Sequence, residues 1–137
     1  MALSNPVALV QRTYKFTYDF AVNGGAVSTI VLSQADGPLP TNFVIQNASL
    51  DILTALTSGG AATAGLGTPQ GAGDLVTATL ISGAPWSSTG PKATAVLLAT
   101  VGTWIKTTAG RSPAIVVGLF ALTAGKFHLF VEGYVSE

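Results

Sequence analysis

The chain has 137 residues with six basic and six acidic side chains, one histidine and no cysteine, so that only 9% of its residues are charged. Its length fits one domain with a real hydrophobic core, and the lack of cysteine excludes disulfide scaffolds, thiol catalysis and cysteine-based zinc sites. About a quarter of the residues are charged in an ordinary soluble domain. We therefore expect sister chains or a larger assembly to cover much of this charge-poor surface.

Two classes of partner are excluded by the same composition. Phosphate backbones are bound by clustered Lys and Arg, whereas the basic residues here are scattered along the chain, so we expect no nucleic acid. The longest uncharged interval, residues 52–73, is interrupted by glycines and Pro69. Because a membrane span needs about 20 predominantly apolar residues, we expect no membrane insertion.

The first eleven residues show no hydrophobic period, and we interpret residues 1–11 as an extended N-terminal arm. A disordered terminus is the alternative. If the arm is ordered, its apolar residues are expected to lie on a neighbouring chain; these are Val7, Leu9 and Val10. Residues 12–137 then form one domain.

Residues 12–20, with the sequence RTYKFTYDF, are the clearest strand. Polar and aromatic residues alternate, and the aromatic ones are Tyr14, Phe16, Tyr18 and Phe20. Such a stripe can stack on sugars or bases, but the inner face of a sandwich is the favoured interpretation. The following Asn23-Gly24 pair predicts a type I′ hairpin turn, with residues 26–32 as the return strand.

The middle of the chain is predicted to alternate between loops and strands. Residues 33–41 form a loop, and residues 43–56 form a long strand that is bent or bulged near Asn47. Residues 61–67, which are mostly Ala and Gly, form a small-residue strand.

Residues 68–73 are predicted to form an exposed loop, and residues 82–94 are predicted to form a second loop. Between them, Asp74 either caps a short helix or begins another strand, and both interpretations stay open. The second loop carries Trp86, which is either exposed or plugs an end of the sandwich. Because contacts concentrate in loops at the ends of a sandwich, we expect the arm and these loops to bind partners through Val7, Leu9, Val10, Pro69, Gln70 and Trp86.

The C-terminal third is predicted to hold the strongest strand signals. Residues 95–101 form one strand and residues 102–108 a further short one. Residues 114–135 contain an uncharged apolar run and an alternating segment on either side of Leu122-Thr123-Ala124-Gly125, which predicts a β-hairpin.

The count is seven to nine short strands with at most one short helix. This spacing predicts an all-β fold, a single β-sandwich. A jelly roll is the preferred topology, and an immunoglobulin-like sandwich is the alternative.

No constellation for catalysis, cofactor binding or metal binding is visible. His128 is the only histidine, the carboxylates are never closely paired along the chain, and no GxSxG motif occurs. Transition-metal sites usually need several His or Cys ligands. We therefore predict no catalytic residue, no metal ligand and no cofactor.

Several phrases resemble small virion proteins of tailed bacteriophages, of the capsid decoration or cement type. They are YDFAVNGGAVSTIVL (residues 18–32), LDILTALTSGGAAT (residues 50–63), GAGDLVTATLISG (residues 71–83) and ALTAGKFHLFVEGYV (residues 121–135). The resemblance implies a β-sandwich or jelly-roll module without catalytic residues. It also implies a homotrimer, made in the host cytoplasm, that binds the major capsid protein on the outside of the shell and stabilises the head.

The alternative function is a carbohydrate- or receptor-binding module of a phage fibre or tail tip. That function requires an exposed aromatic platform, for which Trp86 and Tyr134 are the candidates. An enzyme is the least favoured hypothesis, because no catalytic constellation is visible.

Overall fold

The computed structural model describes residues 11–34, 37–68, 71–94, 105–107 and 112–136, with the backbone alone at residues 71–74. Strands and one short helix occupy most of these ranges. Their order is β1 (Arg12–Asp19), α1 (Phe20–Asn23), β2 (Thr29–Val31), β3 (Ser33–Gln34), β4 (Phe43–Ser58), β5 (Thr63–Thr68), β6 (Gly71–Leu80), β7 (Gly90–Ala93), β8 (Ile105–Lys106), β9 (Ala114–Gly118) and β10 (Leu122–Val135). Within the described residues, no helix is long and apolar enough to cross a membrane.

The strands form two antiparallel sheets with the order of a jelly roll. Sheet A has the order β3-β1-β10-β4-β7, with β8 also paired to β4, and sheet B has the order β2-β9-β5-β6. The eight main strands pair as β1 with β10, β2 with β9, β4 with β7 and β5 with β6. This arrangement is two Greek keys folded together. The predicted all-β sandwich with jelly-roll topology is confirmed, and the immunoglobulin-like alternative has a different strand order.

β1 forms as its alternation predicts, with the aromatic side chains turned inward. Phe16 and Tyr18 are fully buried, while Tyr14 packs edge-on against Phe43 at a ring distance of 5.4 Å. Along its whole length β1 pairs with β10, from Arg12 opposite Gly133 to Asp19 opposite Lys126. The interpretation of this stripe as a core face is therefore confirmed.

β4 and β10 are the longest strands and pair with each other in the middle of sheet A. Their register places Glu132 opposite Asn47 and Gly133 opposite Ile45, so the residue between them on β4 is an extra one. This is a β-bulge, and it confirms the irregularity predicted near Asn47. Gly133 is required here because a Cβ at this position would overlap the Val44 carbonyl oxygen.

The hairpin predicted for residues 114–135 is wrong. β9 pairs with β2 and β5 in sheet B, whereas β10 pairs with β1 and β4 in sheet A. Residues 119–121 carry the chain from one sheet to the other, and the predicted turn at residues 122–125 belongs to β10. Alternation and glycine identify two strands and a reversal, but they do not specify that the two strands share a sheet.

The type I′ hairpin predicted at Asn23-Gly24 is also wrong, for the same reason. The chain leaves β1 through α1 and crosses to sheet B, where β2 pairs with β9. Asp19 caps this helical turn, since its Oδ1 accepts a hydrogen bond from the Ala21 amide at 3.0 Å. The polar residue that ends β1 therefore also starts the helix.

Some of the remaining predicted strands and loops lie in the described residues, and others lie outside them. The small-residue strand is confirmed as β5, and the ambiguity at Asp74 resolves as strand β6. The predicted loop 82–94 ends in a short strand, β7. The strands predicted over residues 95–101 and 102–108 lie outside the described residues, apart from β8 and Thr107.

Candidate assembly surface

Charge is divided unevenly between the two sheets. Every charged side chain that the structure describes belongs to a strand of sheet A; these are Arg12, Lys15, Asp19, Asp51, Lys92, Lys106, Lys126 and Glu132. In sheet B the sequence has one charged residue, Asp74, whose side chain is not described. The domain therefore has a charged face on sheet A and a nearly uncharged face on sheet B.

One end of the sandwich extends the uncharged surface. The β1–β2, β4–β5, β6–β7 and β9–β10 connections contain no charged residue. Hydrogen bonds hold these connections together: the Leu122 amide donates to the Gly25 carbonyl at 2.8 Å, and the Ile81 amide donates to the Ala62 carbonyl at 3.1 Å. All four connections thus lie at the same end.

This end carries exposed apolar side chains, which we call the apolar corner: Val22, Val27, Leu119 and Phe120. Their exposed fractions are 73%, 53%, 70% and 49%. Val22 and Val27 come from the β1–β2 connection, and Leu119 and Phe120 come from the β9–β10 connection. Clustered exposed apolar residues at one end of a charge-poor domain indicate a surface that another molecule covers.

The backbone under the apolar corner is held by hydrogen bonds rather than left loose. The Tyr18 hydroxyl donates to the Gly24 carbonyl at 2.7 Å, and burial raises the pKa of Tyr18 to about 12, with a further contribution from Asp19. The Val117 amide donates to the Ser28 carbonyl at 2.9 Å. The β1–β2 connection is therefore fixed at its middle, at Gly24, and at its last residue, Ser28.

Leu119 has an unusual backbone for a large residue. Its φ is 70°, in the left-handed region that glycine and asparagine tolerate and that bulky residues rarely adopt. Its side chain is nonetheless 70% exposed. Neither the backbone conformation nor burial within the single chain accounts for a leucine at this position.

Phe120 is placed by a glycine across the end of the sandwich. A Cβ at Gly60 would stand 2.6 Å from the nearest atom of the Phe120 ring, so only glycine allows the ring to lie over this backbone. Ser58 supports the same contact, because its hydroxyl donates to the Ala121 carbonyl at 2.7 Å. The ring thus lies against the backbone of Gly60, and Phe120 remains about half exposed.

Trp86, predicted as a contact residue, requires a correction. It is fully buried, its Nε1 donates to the Ala64 carbonyl at 3.1 Å, and its ring lies 5.6 Å from that of Phe127. The indole closes the core beneath the β6–β7 connection, so it is not available to a partner in this conformation. The neighbouring Ser87 and Ser88 are exposed, but this exposure does not extend to the indole.

The other predicted contact residues lie outside the described part of the chain. They are Val7, Leu9 and Val10 in the arm, and Pro69 and Gln70 between β5 and β6. The residues of the apolar corner were not among the predicted contacts. The signal that could have found them is the absence of charge from all four connections at one end, which becomes visible only once the topology is known.

His128 lies on the outer face of sheet A, in a structural position. Its Nδ1 is 2.9 Å from the Thr17 hydroxyl, and the register places it opposite Asp51. Burial lowers the pKa of His128, nearby Lys15 and Lys126 lower it further, and Asp51 opposes them. Across the described residues, no group of three or more His, Cys, Asp or Glu side chains could hold a metal ion.

A shallow apolar groove of about 380 Å³ lies between the ends of β6 and β7, bordered by Val76, Thr79, Pro85 and Lys92 among others. The Lys92 ammonium donates to the Ser88 hydroxyl at 2.9 Å and to the Thr89 carbonyl at 3.3 Å. The one charged group of the groove is thus engaged within the chain.

Comparisons with known proteins find the same fold in two solved structures. No family model and no curated protein matches the chain. A solved structure titled as the capsid asymmetric unit of cyanophage Pam1 contains a chain with a TM-score of 0.63 and 18% identity, and the match covers 99% of this chain and 92% of that one.

A second match comes from the acid-stable capsid of Helicobacter pylori bacteriophage KHP30. Its TM-score is 0.59 and its identity 12%, over 93% of this chain and 90% of that one. In both cases the match spans nearly the whole of both chains, so the matched chains are of similar length. This chain therefore has the same fold as a small jelly-roll chain present in each of two phage capsid structures.

Proposed function

We propose that this chain is a non-enzymatic structural protein of a phage virion, which decorates the outside of the capsid shell and stabilises it as a homotrimer. The observation that carries the proposal is the fold shared, from end to end, with single-domain chains in two phage capsid structures. A jelly roll of this size fits a module added to a shell. The resemblance of the sequence to decoration proteins supports the same function.

The surface chemistry supports a structural role. Little charge has to be desolvated when the domain is covered, because sheet B and one end of the sandwich carry almost none. Burial of apolar surface contributes about 25 cal/mol per Å². Many copies, each in modest contact with the shell and linked to its sisters, would together oppose the loss of capsid subunits.

The contact with the major capsid protein is proposed for the end opposite the apolar corner. β1 starts there at Arg12, and β5 ends there at Thr68, which pairs with Gly71 of β6. β1 therefore starts at the same end of the domain at which β5 ends and β6 starts. The arm residues Val7, Leu9 and Val10 and the turn residues Pro69 and Gln70 stay the proposed contacts.

The glycan-binding alternative loses its principal residue. Trp86 is fully buried, and Tyr134 is half-buried on the outer face of sheet A. Among the described residues, an exposed pair of aromatic rings suited to a sugar is not found near either position. We therefore do not retain this alternative.

The test is co-sedimentation of the purified chain with shells of the major capsid protein of the same virus, assembled without decoration. We expect saturable binding and a higher temperature for shell disruption. Deletion of residues 2–11 is expected to weaken binding while leaving the melting temperature of the free domain unchanged. Absence of wild-type binding to such shells would rule out the decoration function.

A further inference from the structure

We propose that the apolar corner is the surface through which copies of this chain contact one another. In the homotrimer, three corners meet near the symmetry axis, and each contributes the rings and aliphatic side chains of its β1–β2 and β9–β10 connections. The number of copies rests on the proposed function, whereas the identity of the surface rests on the geometry alone.

Leu119 is the first argument. Its backbone would suit glycine or asparagine, and its side chain is 70% exposed in the single chain. A leucine here is unfavourable to the isolated domain in both respects. Unfavourable local conformations are found where a function outside the fold requires them, and an apolar side chain at the tip of a connection functions by being buried in another molecule.

The second argument is the lack of charge, which favours a second copy of this chain as the partner that covers the apolar corner. A surface without charge is matched by a partner surface that also lacks charge, because a charged group brought against it would be desolvated without a counter-ion. The chain supplies such a surface itself, because the corner of a second copy is formed by the same connections, which contain no charged residue. The formal net charge of zero removes long-range repulsion between copies.

Sheet A does not offer an equivalent surface. Its outer face carries several of the described charges, including the ion pair between Lys126 Nζ and Asp19 Oδ2 at 3.7 Å. Contact between two such faces would desolvate several charges at once. The corner and the neighbouring face of sheet B are thus the part of the described surface best suited to a second copy.

The test compares the association of the full chain with that of two matched variants. Leu119→Asn removes the apolar side chain and suits the left-handed backbone, whereas Leu53→Asn removes a leucine that is 43% exposed on β4 of sheet A. Analytical ultracentrifugation over a range of concentrations measures the dissociation constant of each protein. The wild type is expected near three times 13.8 kDa.

We expect Leu119→Asn to raise the dissociation constant by about tenfold or more, since it removes one buried leucine per contact. The melting temperature of the monomer is expected to stay equal or to rise. Leu53→Asn should leave the dissociation constant unchanged. Equal dissociation constants for wild type and Leu119→Asn, or equal weakening by both variants, would overturn the inference.

Two further outcomes separate this inference from the proposed function. A wild type that is monomeric at all concentrations but still binds shells would overturn self-association and leave decoration intact. Loss of shell binding by Leu119→Asn with unchanged self-association would identify the shell as the occupant of the corner, and would also overturn the inference.

Cross-linking gives an independent readout, because the wild-type chain has no cysteine. A single cysteine in place of Val27 should form cross-links between copies with a short bis-maleimide. A single cysteine in place of Thr13, which is exposed on β1 of sheet A, should form none under the same conditions. Equal yields at the two positions would contradict the inference.

Discussion

The ring of Phe120 lies directly over the backbone of Gly60, so that a Cβ on that glycine would meet the ring at 2.6 Å. This contact joins the β4–β5 and β9–β10 connections. It also holds the apolar corner in a fixed shape, since the ring rests on backbone rather than on a mobile side chain. The pair is therefore a sensitive point for both stability and assembly.

Gly60→Ala is expected to lower the free energy of unfolding by about 1–3 kcal/mol, because the ring or the connection must move to admit the methyl group. Gly59→Ala is the matched control, since a Cβ there would meet no atom within 4 Å. Urea unfolding followed by circular dichroism measures both. Equal stability of the two variants would show that the ring does not rest on Gly60.

Trp86→Phe is expected to destabilise the domain by about 1–3 kcal/mol from the hydrogen bond alone, because the buried Ala64 carbonyl loses the donor at 3.1 Å. The smaller ring leaves additional unfilled volume beside Phe127, which increases the loss. Chemical unfolding measures the change. A variant as stable as wild type would argue against the buried position of the indole.

Tyr18→Phe is expected to cost about 1 kcal/mol at neutral pH, through loss of the hydrogen bond to the Gly24 carbonyl at 2.7 Å. The variant should also be less sensitive to alkali. The pKa of Tyr18 is raised from 10.0 to about 12 in the folded chain, so above pH 10 the unfolded chain loses this proton first and unfolding becomes more favourable.

The measurement for Tyr18 is the free energy of unfolding between pH 8 and pH 11.5, for wild type and variant. The wild type should lose more stability over this interval than the variant does. Parallel curves would mean that the hydroxyl ionises equally in the folded and unfolded chain, contrary to its buried position.

His128→Gln tests the contribution of this histidine to the loss of stability at acidic pH. The folded chain holds the pKa of His128 below its ordinary value of 6.5, chiefly through burial and the nearby Lys15. As the pH falls below 6.5, the unfolded chain takes up this proton before the folded chain does, so the wild type loses stability. The variant has no histidine at this position, so it should lose less stability than the wild type as the pH falls.

Thermal unfolding of both proteins between pH 7.5 and pH 5 measures the effect of His128. The difference in melting temperature between wild type and variant should change steadily over the interval, to the disadvantage of the wild type at low pH. A difference that does not vary with pH would contradict the lowered pKa.

The sequence by itself determined most of the strands and which of their faces are buried, although β3 and β7 lie in segments predicted as loops and the segment of β6 fits a helix or a strand. Alternation placed Phe16 and Tyr18 in the core, and the break in alternation near Asn47 marked the bulge in β4. These features are local, because side chains alternate along a strand whatever its partner is. The scarcity of charge likewise indicated a surface suited to assembly.

Only the tertiary structure decided which strands share a sheet and which residues reach the surface. β9 and β10 look like a hairpin in sequence, but they lie in opposite sheets because each is more completely buried by partners distant along the chain. The same non-local packing buries Trp86 and leaves Leu119 exposed. The physical reason is that a turn fixes only the direction of the chain, whereas the choice of sheet depends on contacts among all the strands.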